Sequence, residues 1–183
     1  YDGIEILIGD PDEAAYRDLA TYASKHGLEI NGVFVLGEHE NPISANPDVR
    51  QAGLIKIKWA IDRAKDMNAR VLCGPFHSAH GVFTNQPPNT EEYHRAADVL
   101  SEVGVYAQQA NVVLALEAVN RFETYLCNTM SQLHDLVELV DHPHVRAMYD
   151  THHANVEEKS FFDPIEKIAP YLSHVHISEN DRG

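Results

Sequence analysis

Short apolar segments alternate with longer amphipathic segments along the whole chain. The apolar segments have the length and aliphatic content of buried strands, and they are DGIEILI, GLEINGVFVLG, ARVLCGP, NVVLALEAV, VRAMYDT and LSHVHIS. The segments between them show helical spacing of apolar residues and are DPDEAAYRDLATYASKHG, DVRQAGLIKIKWAIDRAKDMN, residues 90–110, TMSQLHDLVELVD and a segment near PIEKIAPYL. Asp10 and Asp12 are candidate N-caps of the first helix, and Gly27 is a candidate for its end. The pattern predicts six consecutive strand–helix units with no linker between them.

Alternation of this kind predicts parallel strands connected by right-handed crossovers. Two α/β architectures satisfy it, an open doubly wound sheet and a closed (β/α)8 barrel. A doubly wound sheet usually carries a glycine-rich phosphate-binding turn after its first strand, whereas this turn is LIGDPDEA, with one glycine and several acids. We therefore predict a (β/α)8 TIM barrel. Such a barrel typically has about 250 residues, so the 183 residues of this chain supply about six of its βα units.

Charge and composition narrow the possible partners and compartments. The chain has 28 acidic and 14 basic side chains and a formal charge of -14, which repels phosphate backbones and anionic lipid surfaces. We therefore expect neither nucleic acid nor a membrane as a partner, and no apolar run is long enough to cross a bilayer. Cys73 and Cys127 are far apart and form no disulfide or metal pattern, so we expect a reducing, cytoplasmic setting.

Three predicted strands end in side chains that bind metals. These residues are Glu117 in LALEAVN, Asp150 in AMYDTHH and His176 in SHVHISE, about one βα unit apart. Barrel enzymes place their chemistry at the carboxyl ends of strands, and two carboxylates with an imidazole suit a cation such as Mn²⁺, Mg²⁺ or Co²⁺. No thiolate belongs to this set, which argues against a structural zinc site. The alternative is that each acid caps a helix and the histidine is a core residue, but the shared rim favours a metal.

Further polar residues follow each of the three strand ends. They are Arg121 and Glu123, then His152 and His153, then Glu179, Asp181 and Arg182. A solvated loop is the simplest explanation of such residues. Around a cation, the same groups are suited to hydrogen-bond a polyol.

Several of these segments resemble a known family. LEAVNRFETYLCNT, YDTHHANVEEK and HVHISENDRG are similar to signature segments of the ketose 3-epimerases, the D-tagatose, D-psicose (allulose) and L-ribulose 3-epimerases of the xylose-isomerase-like barrel superfamily. YDGIEILI resembles the second strand of that family, and LCGPFHSAHG its fourth-strand loop. The resemblance implies one barrel domain over residues 1–183 with strands 2 to 7. One unit would then precede Tyr1, and the eighth strand would follow Gly183.

The resemblance also implies an activity, a cofactor and residue roles. The activity is metal-dependent epimerisation of a free ketose at C3 through an enediolate, in a homodimer or homotetramer. Glu117, Asp150 and His176 would hold the cation, most commonly Mn²⁺, together with a fourth carboxylate expected beyond Gly183. Glu117 and that carboxylate would exchange the C3 proton on opposite faces of the sugar. The substrate-orienting residues of the family fall on Glu123, His153 and Arg182, and the chain departs from many relatives in having His152 in place of Phe.

Some alternatives remain open at this point. An aldose–ketose isomerase of the same superfamily, for example one acting on hydroxypyruvate, would share the metal but move the proton between C1 and C2. A non-catalytic sugar-binding barrel would lack turnover, and an endonuclease IV-like enzyme conflicts with the negative charge. Glu5 on the first strand is a candidate supporting residue. Phe76 is either a pocket or a core residue, and His77 and His80 have no assigned role.

Overall fold

A computed structural model describes residues 1–9 and 12–178 of the chain. Its centre is a parallel sheet in which the six strands lie side by side in chain order. They are β1 (Gly3–Leu7), β2 (Glu29–Val33), β3 (Val71–Gly74), β4 (Val113–Glu117), β5 (Val145–Asp150) and β6 (Leu172–His176). The helices are α1 (Glu13–His26), α2 (Pro47–Asp66), α3 (Thr90–Ala110), α4 (Met130–Val140), α5 (Thr151–Glu157) and α6 (Phe162–Ile168).

The sheet is strongly curled. Glu5 of β1 contacts His174 and His176 of β6 at 3.1 and 2.9 Å, although these are the first and last strands in the order. The strands therefore enclose a lumen, with the helices outside it. Six parallel strands wrapped in this way, with helices outside them, form a partial TIM barrel, and the predicted fold class is confirmed for the described residues.

The two faces of the strands have different chemistry. In β4, Leu114 and Leu116 belong to the large core between the sheet and the helices, whereas Ala115 packs with Cys73 and Met148 in a separate small cluster inside the lumen. The outer core is closely packed with aliphatic side chains, each of which stabilises the fold by about 1.5–3 kcal/mol when fully buried. Stability thus comes mainly from the outer face and leaves the lumen for polar groups.

Local signals explain where most elements begin and end. The Asp12 side chain accepts a hydrogen bond from the Ala14 N–H at the start of α1, and Gly27 ends that helix at a φ of 67°. The alternative cap, Asp10, lies outside the described residues. Gly74 ends β3 at a φ of 131°, where an added Cβ would lie 2.2 Å from the Phe34 carbonyl oxygen, so this exit from the strand requires glycine.

Two elements differ from the pattern-based prediction. The short helix α5 follows β5 directly, because the Asp150 carboxylate caps it by accepting from the N–H groups of His152 and His153. β2 ends at Val33, earlier than its apolar run, since the buried residues Phe34 and Leu36 belong to the loop after the strand. No helix within residues 1–9 and 12–178 is long and apolar enough to span a membrane.

Candidate active site

The three predicted ligands are brought together at the carboxyl ends of neighbouring strands. Glu117, Asp150 and His176 are the last residues of β4, β5 and β6. The Nδ1 atom of His176 lies 3.5 Å from Asp150 Oδ2 and 3.9 Å from Glu117 Oε1. One ligand atom from each residue lies within 4.8 Å of the other two, a spacing compatible with one shared cation. We call Glu117, Asp150 and His176 the rim cluster.

The surroundings of the Glu117 side chain disfavour its ionised form. Only 6% of the residue is exposed. Burial and the neighbouring charge of Asp150 raise the pKa of Glu117 to about 8. In the absence of a cation, the rim cluster therefore retains a proton on Glu117 near neutral pH.

Asp150 has the opposite character despite its proximity to Glu117. Burial opposes its ionisation, but the His176 side chain and the backbone N–H groups of His153 and His152 lower its pKa to about 2. The carboxylate that caps α5 is thus the charged member of the pair. Asp150 therefore caps a helix, as the alternative to metal binding predicts, and its Oδ2 also lies 3.5 Å from His176 in the rim cluster.

His153 lies beside the rim cluster in a fixed orientation. Its Nδ1 accepts a hydrogen bond from the backbone N–H of Asn120 at 3.0 Å. A neutral imidazole then carries its hydrogen on Nε2, which lies 3.5 Å from Glu117 Oε1. The contact with Asn120 therefore aims an N–H donor at Glu117 and at the space beside it.

Glu123 lies at the outer edge of the site. Its carboxylate accepts from the Asn120 side-chain amide at 2.8 Å and lies 3.2 Å from His80 Nε2. Asn120 thus connects Glu123 to His153, and His80 connects Glu123 to the loop after β3. The sequence does not indicate these roles of Asn120 and His80. The contacts of Asn120 with His153 and of His80 with Glu123 join segments that are far apart in the chain.

His77 supports the strand end that carries Glu117. The ring is fully buried, and its Nε2 lies 2.9 Å from the Glu117 carbonyl oxygen, while Nδ1 faces the Ser78 hydroxyl at 3.1 Å. Burial lowers the pKa of His77 to about 4, so the ring is neutral and donates to the carbonyl. The sequence alone does not indicate this role, because His77 and Glu117 are 40 positions apart.

Most of the other residues singled out in the sequence lie away from the rim cluster or outside the described residues. Phe76 is fully buried in the outer core. Arg121 forms an ion pair with Glu157 at 2.6 Å and is largely exposed. Arg182 lies outside the described residues. An open groove is lined by Asp150, His152 and His176 among others.

A second layer of polar residues lies directly below the rim cluster. Glu5 accepts from His176 Nε2 through Oε1 at 2.9 Å, and from His174 Nε2 and Cys73 Sγ through Oε2 at 3.1 Å each. Burial opposes ionisation of Glu5, but the three donors together lower its pKa far below the usual range. We call Glu5, Cys73, His174 and His176 the floor cluster. The contact with Glu5 leaves Nδ1 of His176 facing the two rim acids.

Chemically, the rim combines a cation site with a proton carrier. It offers the carboxyl groups of Glu117 and Asp150 and an imidazole nitrogen of His176 to a cation, and His153 adds an aimed N–H donor. Without a cation, Glu117 holds a proton with a pKa near neutrality. These groups suit the transfer of a proton at carbon next to a polarised carbonyl.

Comparison with known proteins identifies the family. The family model described as xylose isomerase-like TIM barrel matches residues 1–183. The chain is 31% identical over 166 residues to the D-psicose 3-epimerase of Enterocloster bolteae, covering 90% of this chain and 55% of the relative. It is 28% identical over 183 residues to the ketose 3-epimerase of Arthrobacter globiformis, covering 100% of this chain and 63% of the relative. The chain thus spans less than two thirds of the length of these curated relatives.

Solved structures agree with this comparison. A structure of L-ribulose 3-epimerase superposes with a TM-score of 0.95 at 30% identity, covering 100% of this chain and 61% of that one. A D-psicose 3-epimerase crystallised in the presence of D-fructose gives a TM-score of 0.93 at 26% identity, with coverages of 100% and 65%. The resemblance to ketose 3-epimerases noted in the sequence is therefore confirmed, and the chain belongs to the xylose isomerase-like TIM barrel family.

Proposed function

We propose that the protein epimerises a free ketose at C3. The observation that carries the proposal is the convergence of Glu117, Asp150 and His176 at one end of the lumen, in a chain whose relatives are ketose 3-epimerases. A proton carrier beside a cation site meets the chemical need of this reaction, which removes a proton next to a carbonyl and returns it on the other face.

The rim cluster is proposed to hold one divalent cation. Two carboxylates and one imidazole suit Mn²⁺ best, with Mg²⁺ and Co²⁺ as related alternatives. His176 fits this role because Glu5 accepts the Nε2–H at 2.9 Å. Nδ1 faces Asp150 and Glu117 and would release its own hydrogen when a cation binds there. Carboxylate-bound histidines of this kind are common partners of metals. The cation would stabilise the negative charge that develops on the substrate oxygens.

Glu117 is proposed to carry the C3 proton. Its carboxyl group is buried at the end of β4 and lies 3.5 Å from His153 Nε2, which holds it in the fixed position that an acid–base group requires. The family resemblance implies a second acid–base group on the opposite face of the sugar.

Glu123, His153 and Arg182 are proposed to orient the substrate. His153 supports this role because Asn120 fixes its Nε2–H toward the rim cluster. Glu123 lies further out, held by Asn120 and His80, where it suits a hydroxyl group of the sugar. The role of Arg182 rests on the resemblance alone.

The test is proton exchange at a defined carbon. The full-length protein would be loaded with Mn²⁺ in D₂O and incubated with D-fructose, D-tagatose, D-psicose and L-ribulose, and the sugars would be separated and analysed by NMR. We expect deuterium at C3 and formation of the C3 epimer, both lost in Glu117→Gln. Deuterium at C2 of an aldose product, or at C1 of the recovered ketose, would indicate an aldose–ketose isomerase instead. Binding of sugar without exchange would indicate a sugar-binding barrel.

We also propose a homodimer or homotetramer in the cytoplasm. The assembly is supported by the family resemblance, and the compartment by Cys73 and Cys127, which are both free thiols. Sedimentation of the full-length protein and cell fractionation test the two proposals separately.

A further inference from the structure

We propose that the floor cluster is a second cation site, which binds a thiophilic ion of the Zn²⁺ type. Its ligands are Cys73 Sγ, a carboxylate oxygen of Glu5, and the Nε2 atoms of His174 and His176. These four atoms lie within 4.8 Å of one another. The inference does not depend on the proposed epimerase function, because it rests only on the positions and chemistry of these four side chains.

Three strands supply the ligands from different sides of the lumen. Glu5 comes from β1, Cys73 from β3, and the two histidines from β6. Because side chains alternate along a strand, His174 and His176 both point inward. A bound ion would therefore tie the first and last strands of the sheet to its middle.

The distances are close to those of a tetrahedral site. Zn²⁺ bonds of about 2.0–2.3 Å place neighbouring ligand atoms about 3.3–3.6 Å apart. Glu5 Oε2 lies 3.1 Å from both Cys73 Sγ and His174 Nε2, Glu5 Oε1 lies 2.9 Å from His176 Nε2, and Sγ lies 3.9 Å from the same nitrogen. These four separations bracket the tetrahedral value.

The ligand types separate this site from the rim cluster. One thiol, two imidazoles and one carboxylate favour Zn²⁺ over hard cations, whereas the rim cluster contains no sulfur. His176 belongs to both clusters but presents Nε2 to the floor and Nδ1 to the rim. Binding at the floor would release the hydrogens on Cys73 Sγ and on the Nε2 atoms of the two histidines to solvent. The ion would then replace the hydrogen bond from His176 to Glu5, and with both sites filled His176 would bridge the two ions as an imidazolate.

A hydrogen-bond network is the competing explanation of the same contacts. In it, Glu5 accepts from Cys73, His174 and His176, and no ion is needed. The two explanations differ in the state of the sulfur, which is a thiol in the network and a metal-bound thiolate in the ion site.

Co²⁺ distinguishes the two because it absorbs in the near ultraviolet when a thiolate binds it. The full-length protein, stripped by a chelator under reducing conditions, would be titrated with Co²⁺ and then with Zn²⁺. We expect a thiolate-to-Co²⁺ charge-transfer band that Zn²⁺ removes. The band should be lost in Cys73→Ser and kept in Cys127→Ser, the matched control, whose thiol is also fully buried but lies in the outer core.

His174→Gln gives an independent check if Cys73→Ser folds poorly, since His174 is partly exposed and lies outside the rim cluster. Loss of a residue that only hydrogen-bonds to a metal ligand lowers metal affinity by about 10–100-fold. We expect the Zn²⁺ affinity of the His174→Gln variant to fall by more than this, because His174 is proposed to bind the ion directly. Absence of the band in the folded wild-type protein, or its persistence in Cys73→Ser, would overturn the proposal. Loss of epimerase activity alone would not bear on it, because the readout is the spectrum.

Discussion

The rim and floor clusters place a glutamate in opposite electrostatic environments within one lumen. Glu117 at the rim is buried, faces the Asp150 carboxylate and has a pKa raised to about 8. Glu5 in the floor accepts hydrogen bonds from three side chains, and these lower its pKa despite partial burial. A glutamate thus keeps its proton near neutral pH in the rim cluster, whereas a glutamate in the floor cluster is ionised. The difference lies in the number of donors, since Glu5 contacts two imidazoles and a thiol while Glu117 competes with another acid.

The strongest test of this difference is removal of the rim acid. Glu117→Gln keeps the shape of the side chain but carries no transferable proton, so we expect the epimerisation rate to fall about 10²–10⁴-fold. Mn²⁺ affinity should fall in the same variant, because a carboxylate ligand is lost. Steady-state kinetics and calorimetric titration measure the two effects. Glu91→Gln on the exposed face of α3 is the control, and equal losses in both variants would contradict the assignment.

The pH dependence of stability should have opposite signs for the two glutamates. The folded-state pKa of Glu117 is raised from 4.5 to about 8, so its stabilising contribution is complete below about pH 4.5 and is lost as the pH rises through 8. The pKa of Glu5 is lowered, so its contribution is present above its ordinary pKa and is lost as the pH falls below it.

Urea unfolding of the cation-free protein measures this contrast. Relative to Glu117→Gln, the free energy of unfolding of the wild-type protein should decrease between about pH 4.5 and 8. Relative to Glu5→Gln, it should increase as the pH rises from about 3 to 5. A difference that does not change with pH in either pair would show that the environment of that glutamate has been misassigned.

A substitution in the floor cluster should have a smaller effect on Mn²⁺ binding at the rim, because His176 belongs to both clusters. Glu5→Ala removes the acceptor for His176 Nε2–H, and we expect rim Mn²⁺ affinity to fall about 10–100-fold. Glu5→Gln retains an amide oxygen that can accept the same hydrogen, so its affinity should lie closer to wild type. Manganese binding can be followed by electron paramagnetic resonance. Identical affinities in the alanine and glutamine variants would argue against orientation by this hydrogen bond.

The smallest expected effect concerns the outer edge of the rim. Asn120 donates to Glu123 and contacts His153 through the same side-chain nitrogen. Asn120→Ala should raise the KM for ketose by several-fold, on the order of one lost hydrogen bond of about 1 kcal/mol, without changing Mn²⁺ affinity. His153 keeps its contact with the backbone N–H of residue 120, which limits the loss. A fall in Mn²⁺ affinity would instead place Asn120 in support of the rim cluster.

The sequence by itself determined the order of the elements and the positions of the rim residues. Alternating apolar and amphipathic runs predict the six strand–helix units, because each strand must bury its outer face and each helix one side. Asp12 and Gly27 mark the ends of α1 through local backbone requirements. Glu117, Asp150 and His176 could be identified because the carboxyl ends of parallel strands must meet at one edge of the sheet.

Only the tertiary structure decided what lies beside those residues. Glu5 and His174 are 169 positions apart and meet only because the sheet curls. Cys73 forms no metal pattern in the sequence, yet it lies against Glu5 and near His176 in the lumen. The Asn120 contact that orients His153 likewise joins the loop after β4 to helix α5. Such pairings depend on strand curvature and packing distance, which spacing along the chain does not encode.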